Sequence, residues 1–317
     1  MKYFDLHCDT IGELSKLSEK QREQENLRKN AGQLDLERAQ RFSQYAQVFA
    51  LFCGREPVQS KQDAHERFLR LLTTAQQEFA KNTDILMPCK TAQDMQTARE
   101  NGKIAAFLSI EGAEILQSEQ DIQAAIQAGV KIVTITWNHR SVYGCGASTD
   151  NSAGLTAAGR QLAEQLSDHG VFLDVSHVSE RGFWDLAETI STPILATHSN
   201  SKKICPHARN LTDEQFQELI RRGGLVGINL YVPFVTQKHK ADCTDVLRHI
   251  EHFCALGGEK QLCIGADWDG CDRMPKGIAD ICGIEQLADC MAQHGYSDDC
   301  IRGIFYENAN RFVKTNF

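Results

Sequence analysis

The sequence has no apolar run approaching the roughly eighteen residues of a membrane span. It also has no concentrated basic segment: 34 Lys and Arg against 42 Asp and Glu give a formal net charge of −8. Phosphate binding needs a basic face, so the charge argues against nucleic acid as a partner. The twelve cysteines are scattered from Cys8 to Cys300, and none forms a Cys-x-x-Cys pair. From Met1 to His7 the chain enters an apolar, strand-like stretch at once, which leaves no room for a signal peptide. The closing Lys314-Thr315-Asn316 carries no hydrophobic tail for an anchor. A cytoplasmic location with no membrane contact is therefore expected, with the cysteines as reduced thiols, several of them in the core. Low-complexity segments and linkers are lacking too, so residues 1–317 are expected to form one domain.

What is present is a repeated unit of helix, glycine and short apolar strand. Gly102 precedes Ile104 to Ser109, Gly129 precedes Lys131 to Thr136, and Gly170 precedes Val171 to Val175. Gly223-Gly224 and Gly257-Gly258 precede Leu225 to Leu230 and Leu262 to Gly265. A glycine supplies the left-handed residue that ends a helix, and an uninterrupted apolar run reads as a parallel strand buried on both faces. With Lys2 to Leu6, Ala46 to Leu51 and Pro193 to Ala196, and with the fourth strand set at Ile132 to Thr136, the count is eight. Eight alternating units predict an α/β fold, a (β/α)8 TIM barrel. Ile85-Leu86-Met87 reads as a short strand outside the barrel.

Helices are predicted between the strands. Phe68, Leu71, Leu72, Ala75 and Phe79 share one face of a helix over Arg67 to Phe79. Thr212 and Gln215 have the spacing of a capping box. The polar stretch from Leu17 to Gln44 is expected to be an insertion, a solvated helical excursion over the barrel mouth.

The ionisable residues fall at the ends of these strands. His7 and Asp9 end the first, Glu111 the third, His177 the fifth, His198 the sixth and Asp267 the eighth. In an α/β barrel these ends converge on the face where active sites are built. Each residue alone has an ordinary explanation: Asp9 could cap a helix, Glu111 could serve a turn, and Asp267 with Asp269 could cap a loop. The set is not explained that way. Imidazole and carboxylate together suit zinc or a similar divalent ion. His7 and Asp9 would hold one ion, His177 and His198 a second, and Glu111 would span both. Two cations about 3.5–4 Å apart lower the pKa of a shared water and polarise a carbonyl. Asp267 remains to carry the proton to the departing amine.

Five motifs then bear a resemblance. Asp5-Leu6-His7-Cys8-Asp9-Thr10, Ser109-Ile110-Glu111-Gly112, Asp174-Val175-Ser176-His177-Val178-Ser179, Thr197-His198-Ser199-Asn200 and Ile264-Gly265-Ala266-Asp267-Trp268-Asp269-Gly270 resemble, in order, those of the renal (membrane) dipeptidase family. The resemblance implies a binuclear zinc dipeptidase that tolerates a D-residue at the C-terminal position. It implies Glu111 as bridging ligand and Asp267 as proton-transfer group. Arg209 matches the family's arginine for the substrate carboxylate, a role suited to a two-pronged guanidinium. Tyr231 matches a substrate-contacting tyrosine. One position departs: the family's mammalian members carry a histidine after strand four, where direct register here gives Trp137, followed by Asn138 and His139. His139 is the candidate to supply that imidazole from a shifted loop. A dipeptide substrate and a homodimer are the expected partners.

Two other readings stand beside this one. A related barrel hydrolase could act on a cyclic amide, a lactone or an N-acyl amino acid. Many of those enzymes use His-x-His on strand one and a modified lysine on strand four; here strand one has His-x-Asp, and Lys131 lies at the wrong end. A non-catalytic metal-binding homologue is the second, against which a free carboxylate at Asp267 speaks.

Overall fold

Apolar runs with no polar face become strands that are covered on both sides. In the computed structural model, which describes residues 1–149 and 152–317, they form β1 (Lys2–Cys8), β2 (Gln44–Phe52), β3 (Leu86–Pro88), β4 (Ile104–Glu111) and β5 (Val130–Thr134). The series continues with β6 (Phe172–Asp174), β7 (Ile194–Leu195), β8 (Val226–Ile228) and β9 (Leu262–Ile264). The order is β7-β6-β5-β4-β2-β1-β9-β8, with β3 paired to the start of β4. A bridge between Ala196, just after β7, and Val226 in β8 joins the two ends. The result is a nearly closed barrel of eight parallel strands with flanking helices, the expected TIM barrel.

The barrel interior is filled by Phe4, Leu6, Val48, Phe107, Ile132, Phe172, Leu195 and Cys263. The helix Asn308–Asn316 closes one end of this layer, with Phe312 5.2 Å from Phe172 and the terminal Phe317 5.5 Å from Phe107. The larger apolar layer lies between strands and helices. Helix Lys61–Lys81 buries Phe68, Leu71, Leu72, Ala75 and Phe79 there, and Thr212 with Gln215 forms the capping box of helix Asp213–Arg221. Gly129 ends helix Glu119–Ala128 at φ 90°, and the same left-handed turn recurs before β4, β6, β8 and β9. Gly227 and Gly265 serve closeness instead: a Cβ on either would lie 1.9 or 1.8 Å from the Thr197 carbonyl.

Two expectations need correction. The fourth barrel strand runs over Val130–Thr134, two residues earlier than Ile132 to Thr136. Gly129 turns the chain straight into the sheet, so no linking residues intervene. The stretch from Leu17 to Gln44 is not a solvated excursion. It holds two four-residue helices, Glu19–Arg22 and Leu36–Ala39, and buries Leu27, Leu34, Leu36 and Ala39 completely. Glu78 accepts a hydrogen bond from Leu27 N at 2.9 Å, tying it to helix Lys61–Lys81. Its tip does reach the active face, where Gln33 Oε1 accepts from Asp269 N at 2.7 Å.

Candidate active site

The strand ends deliver their ionisable residues to one place. His7 Nε2 lies 3.8 Å from Asp9 Oδ1, 3.5 Å from Glu111 Oε2 and 3.9 Å from Asp267 Oδ1. On the other side of Glu111, Oε1 is 2.8 Å from His177 Nε2 and 3.6 Å from His198 Nε2. The two carboxylate oxygens of Glu111 thus face different histidines. Asp9 precedes helix Thr10–Leu14, but its side chain makes no capping hydrogen bond. The carboxylate turns into the cluster instead.

Whether these residues fit a metal is tested by what they leave unpaired. His7 Nε2, Asp9 Oδ1 and Glu111 Oε2 are buried and have no hydrogen-bond partner. Buried polar atoms are normally satisfied, so three orphans converging on one point mark a place for a cation. Donor atoms of His7, Glu111 and His198, and separately of His7, Asp9 and Asp267, lie within 4.8 Å of one another. The grouping differs from the sequence expectation in two respects: Asp267 stands with His7 and Asp9 rather than apart, and His198 groups with His7 and Glu111 as well as lying against His177.

The local electrostatics follow from burial and close charge. Burial opposes protonation of His7, but Glu111, Asp9 and Asp267 outweigh it and push its pKa up to about 10. Burial, then the nearby Glu111 carboxylate, raises the Asp9 pKa well above the carboxylate range. Burial works against the charge on Glu111 as well, yet His7 and His177 hold its pKa far below the usual value. Burial lowers His198 strongly and His177 less so, with Arg209 adding to both. Carboxylates gathered around three imidazoles, of which burial keeps His177 and His198 neutral, are a donor set for a divalent ion.

Several supporting residues were not singled out by sequence reasoning. Asp5 accepts from His7 N at 3.0 Å and Ala266 N at 3.2 Å, fixing the backbone on either side of the site. Asp174 does the same for Ser176 N and Thr197 N, one residue before His177 and His198. Both aspartates lay within the quoted motifs, two or three residues from a histidine, and that spacing was the available signal. Asn229 donates to Asp267 Oδ2 at 3.0 Å and leaves Oδ1 toward His7. Asn138 Oδ1 faces His177 Nδ1 at 2.8 Å. Among the described residues, only His177, Asp267 and Asp269 have positive φ without being glycine, a strain that clusters at functional sites.

A cleft of about 480 Å³ opens beside the cluster, lined by Asp9, Glu111, His177 and Asp267 together with Phe52, Trp137, Asn138, Tyr231 and Phe234. Tyr231 stands in its wall, with its ring perpendicular to Phe234 at 4.9 Å. Arg209 lies behind that wall, 4% exposed, with its guanidinium 5.2 Å from the Phe234 ring centre. Its Nη2 donates to the His198 carbonyl at 3.3 Å, and Nε has no partner. Among the described residues no carboxylate lies within 4.0 Å of it. Burial lowers its pKa to about 10 against the pull of Asp267 and Glu111. His139 is not brought to the cleft: its Nε2 pairs with Glu114 Oε1 at 3.1 Å, while Trp137 and Asn138 line the wall. Lys131 reaches the Gly170 carbonyl and the Phe317 ring at the opposite end of the barrel, so β5 brings no lysine to the donors.

Comparison with known proteins agrees with this fold. The profile of the family described as membrane dipeptidase (peptidase family M19) matches residues 1–316. A metallo peptidase from Rhodobacter sphaeroides, solved with a phosphinate mimic of the dipeptide L-Ala-D-Ala, has a TM-score of 0.90 and 25% identity, covering 100% of this chain and 99% of that one. The metallo peptidase called dipeptidase AC has a TM-score of 0.91 and 27% identity, covering 100% and 98%. An uncharacterized protein in the pqqA 5' region of Klebsiella pneumoniae is 33% identical over 254 residues, 77% of this chain and 93% of its own length.

Proposed function

This chain belongs to the membrane dipeptidase family, and on that premise we propose that it is a binuclear enzyme that hydrolyses dipeptides, L,D-dipeptides among them. The observation that carries the reading is the convergence of unpartnered donors at His7, Asp9 and Glu111 beside the imidazoles of His177 and His198. His7 and Asp9 would hold one ion, His177 and His198 the other, and Glu111 would offer one oxygen to each. Zinc suits this mixture of nitrogen and oxygen donors. Two such ions, when bound, acidify a shared water and polarise the scissile carbonyl.

The chain's own residues do the rest. Arg209 binds the free carboxylate of the dipeptide, with Phe234 stacked on the guanidinium and Tyr231 beside it in the wall. Asp267 takes a proton and passes it to the leaving amine. Asn229 anchors its Oδ2, so that Oδ1 is the atom turned to the reaction. Tolerance of a C-terminal D-residue is supported by the L-Ala-D-Ala mimic held by the related Rhodobacter sphaeroides peptidase. The test is a panel of L,L and L,D dipeptides offered to metal-loaded and chelated protein. We expect cleavage in both stereochemical series by the loaded form and none after chelation. No turnover of any dipeptide by fully loaded protein would defeat the proposal.

A further inference from the structure

We propose that Asp174 is a positioning residue that sets the tautomer of His198 through the hydroxyl of Thr197. The inference rests on the reading of His198 as a metal ligand. Asp174 is the last residue of β6 and fully buried. Its carboxylate accepts four hydrogen bonds: Oδ1 from Ser176 N at 3.1 Å and Thr197 N at 2.8 Å, Oδ2 from Thr134 Oγ1 at 2.6 Å and Thr197 Oγ1 at 2.8 Å. An ionised carboxylate only accepts, so both hydroxyls must direct their protons at it.

A threonine hydroxyl has one proton. With that proton on the Asp174 side, the Thr197 oxygen faces His198 Nδ1 at 2.9 Å with lone pairs only. His198 Nδ1 must then carry its hydrogen, and Nε2 keeps the lone pair. That lone pair looks toward Glu111 Oε1 and His177 Nε2. The remaining neighbour, Ser176 Oγ, is 3.5 Å from Thr197 Oγ1 and accepts from His198 N at 3.1 Å. The opposite tautomer would set two lone pairs against each other at Nδ1, or pull the hydroxyl away from a buried carboxylate. It would also place a hydrogen on Nε2, where a metal needs the lone pair. The line Thr134–Asp174–Thr197–His198 therefore runs across the ends of β5, β6 and β7 and finishes at a ligand.

The test uses Asp174→Asn, Thr197→Val and Thr197→Ser in the full-length protein, each checked for a parental circular-dichroism spectrum. Two quantities are read: the ¹⁵N shifts of the His198 ring in chelated protein, and zinc affinity by competition with a chromophoric chelator. An amide at 174 donates to the Thr197 oxygen and can turn its proton toward His198. We expect His198 to move from the Nδ1–H form toward Nε2–H in Asp174→Asn, and to become a mixture in Thr197→Val. Zinc affinity should fall by roughly 10–100-fold in both, as for the loss of other partners of ligating histidines. Thr197→Ser, which keeps the hydroxyl, should match the parent in both readouts. An unchanged tautomer with parental zinc affinity in Asp174→Asn and Thr197→Val overturns the inference. If Asp174→Asn does not fold, the contrast between Thr197→Val and Thr197→Ser decides it. A parent that binds no zinc would count against the functional reading, while its ring shifts would still decide the tautomer.

Discussion

The Nε2 atoms of His177 and His198 lie 2.8 Å apart, and the nearer one is also 2.8 Å from Glu111 Oε1. His177 Nδ1 faces the Asn138 carbonyl oxygen, so its hydrogen belongs there and its Nε2 presents a lone pair. Two lone pairs and a carboxylate in such proximity repel one another unless a cation lies among them. The protein should therefore gain stability from divalent metal. Elemental analysis of zinc-loaded protein should give about two ions per chain. Thermal melting in excess chelator should show a lower Tm, because a ligand that binds only the folded state stabilises it. One ion or none at full loading would break the pairing of His177 with His198.

Asp267 carries the proton in this account, and its position beside His7 and Asp9 also makes it a possible ligand. Asp267→Asn separates the two roles. An amide keeps the bond to residue 229 within reach but cannot accept the proton. Turnover should fall by roughly 10²–10⁴-fold with metal content unchanged. Loss of an ion together with activity would make Asp267 chiefly a ligand.

A pH prediction comes from a histidine behind the site. His249 is fully buried, accepts from Ser201 N at 3.1 Å and faces the Val235 carbonyl at 2.8 Å. Burial lowers its pKa to about 4. An unfolded chain takes up this proton near 6.5, so the stability from neutral His249 is complete above that pH. It is lost as pH falls toward about 4. In NMR the ring resonances of His249 should stay constant down to about pH 5; a midpoint near 6.5 would contradict the assignment.

The barrel and its donors were readable because both are written locally. A glycine turn before five of the strands and an apolar run after it are contiguous signals, and the ionisable residues sit where such runs stop. The supports were less readable because they act across strands. Asn229 meets Asp267 from 38 residues away, and Asp174 meets Thr197 from 23. The burial of Leu27 and Leu34 was hidden for a related reason: few apolar residues in a polar stretch look solvated until a neighbouring helix is known to cover them. Whether His139 stands in for the imidazole where direct register gives Trp137 was a question of loop register. The imidazole turns aside to lie 3.1 Å from Glu114 Oε1, while Trp137 and Asn138 line the cleft.

Arg209 gives the most direct test of the central claim, because a dipeptidase must sense the free carboxylate one residue beyond the bond it cuts. Its guanidinium is buried without a carboxylate partner among the described residues, and the substrate would supply one. The measurement is kcat/KM for a dipeptide and for its C-terminal amide, in the parent and in Arg209→Ala. The account predicts that the parent prefers the acid strongly. The substitution should cost roughly 2–5 kcal/mol on the acid and far less on the amide. Arg209→Lys should recover only part of the loss, since an ammonium lacks the two-pronged contact. Equal cleavage of acid and amide by the parent, with an equal penalty on both from Arg209→Ala, would contradict the account.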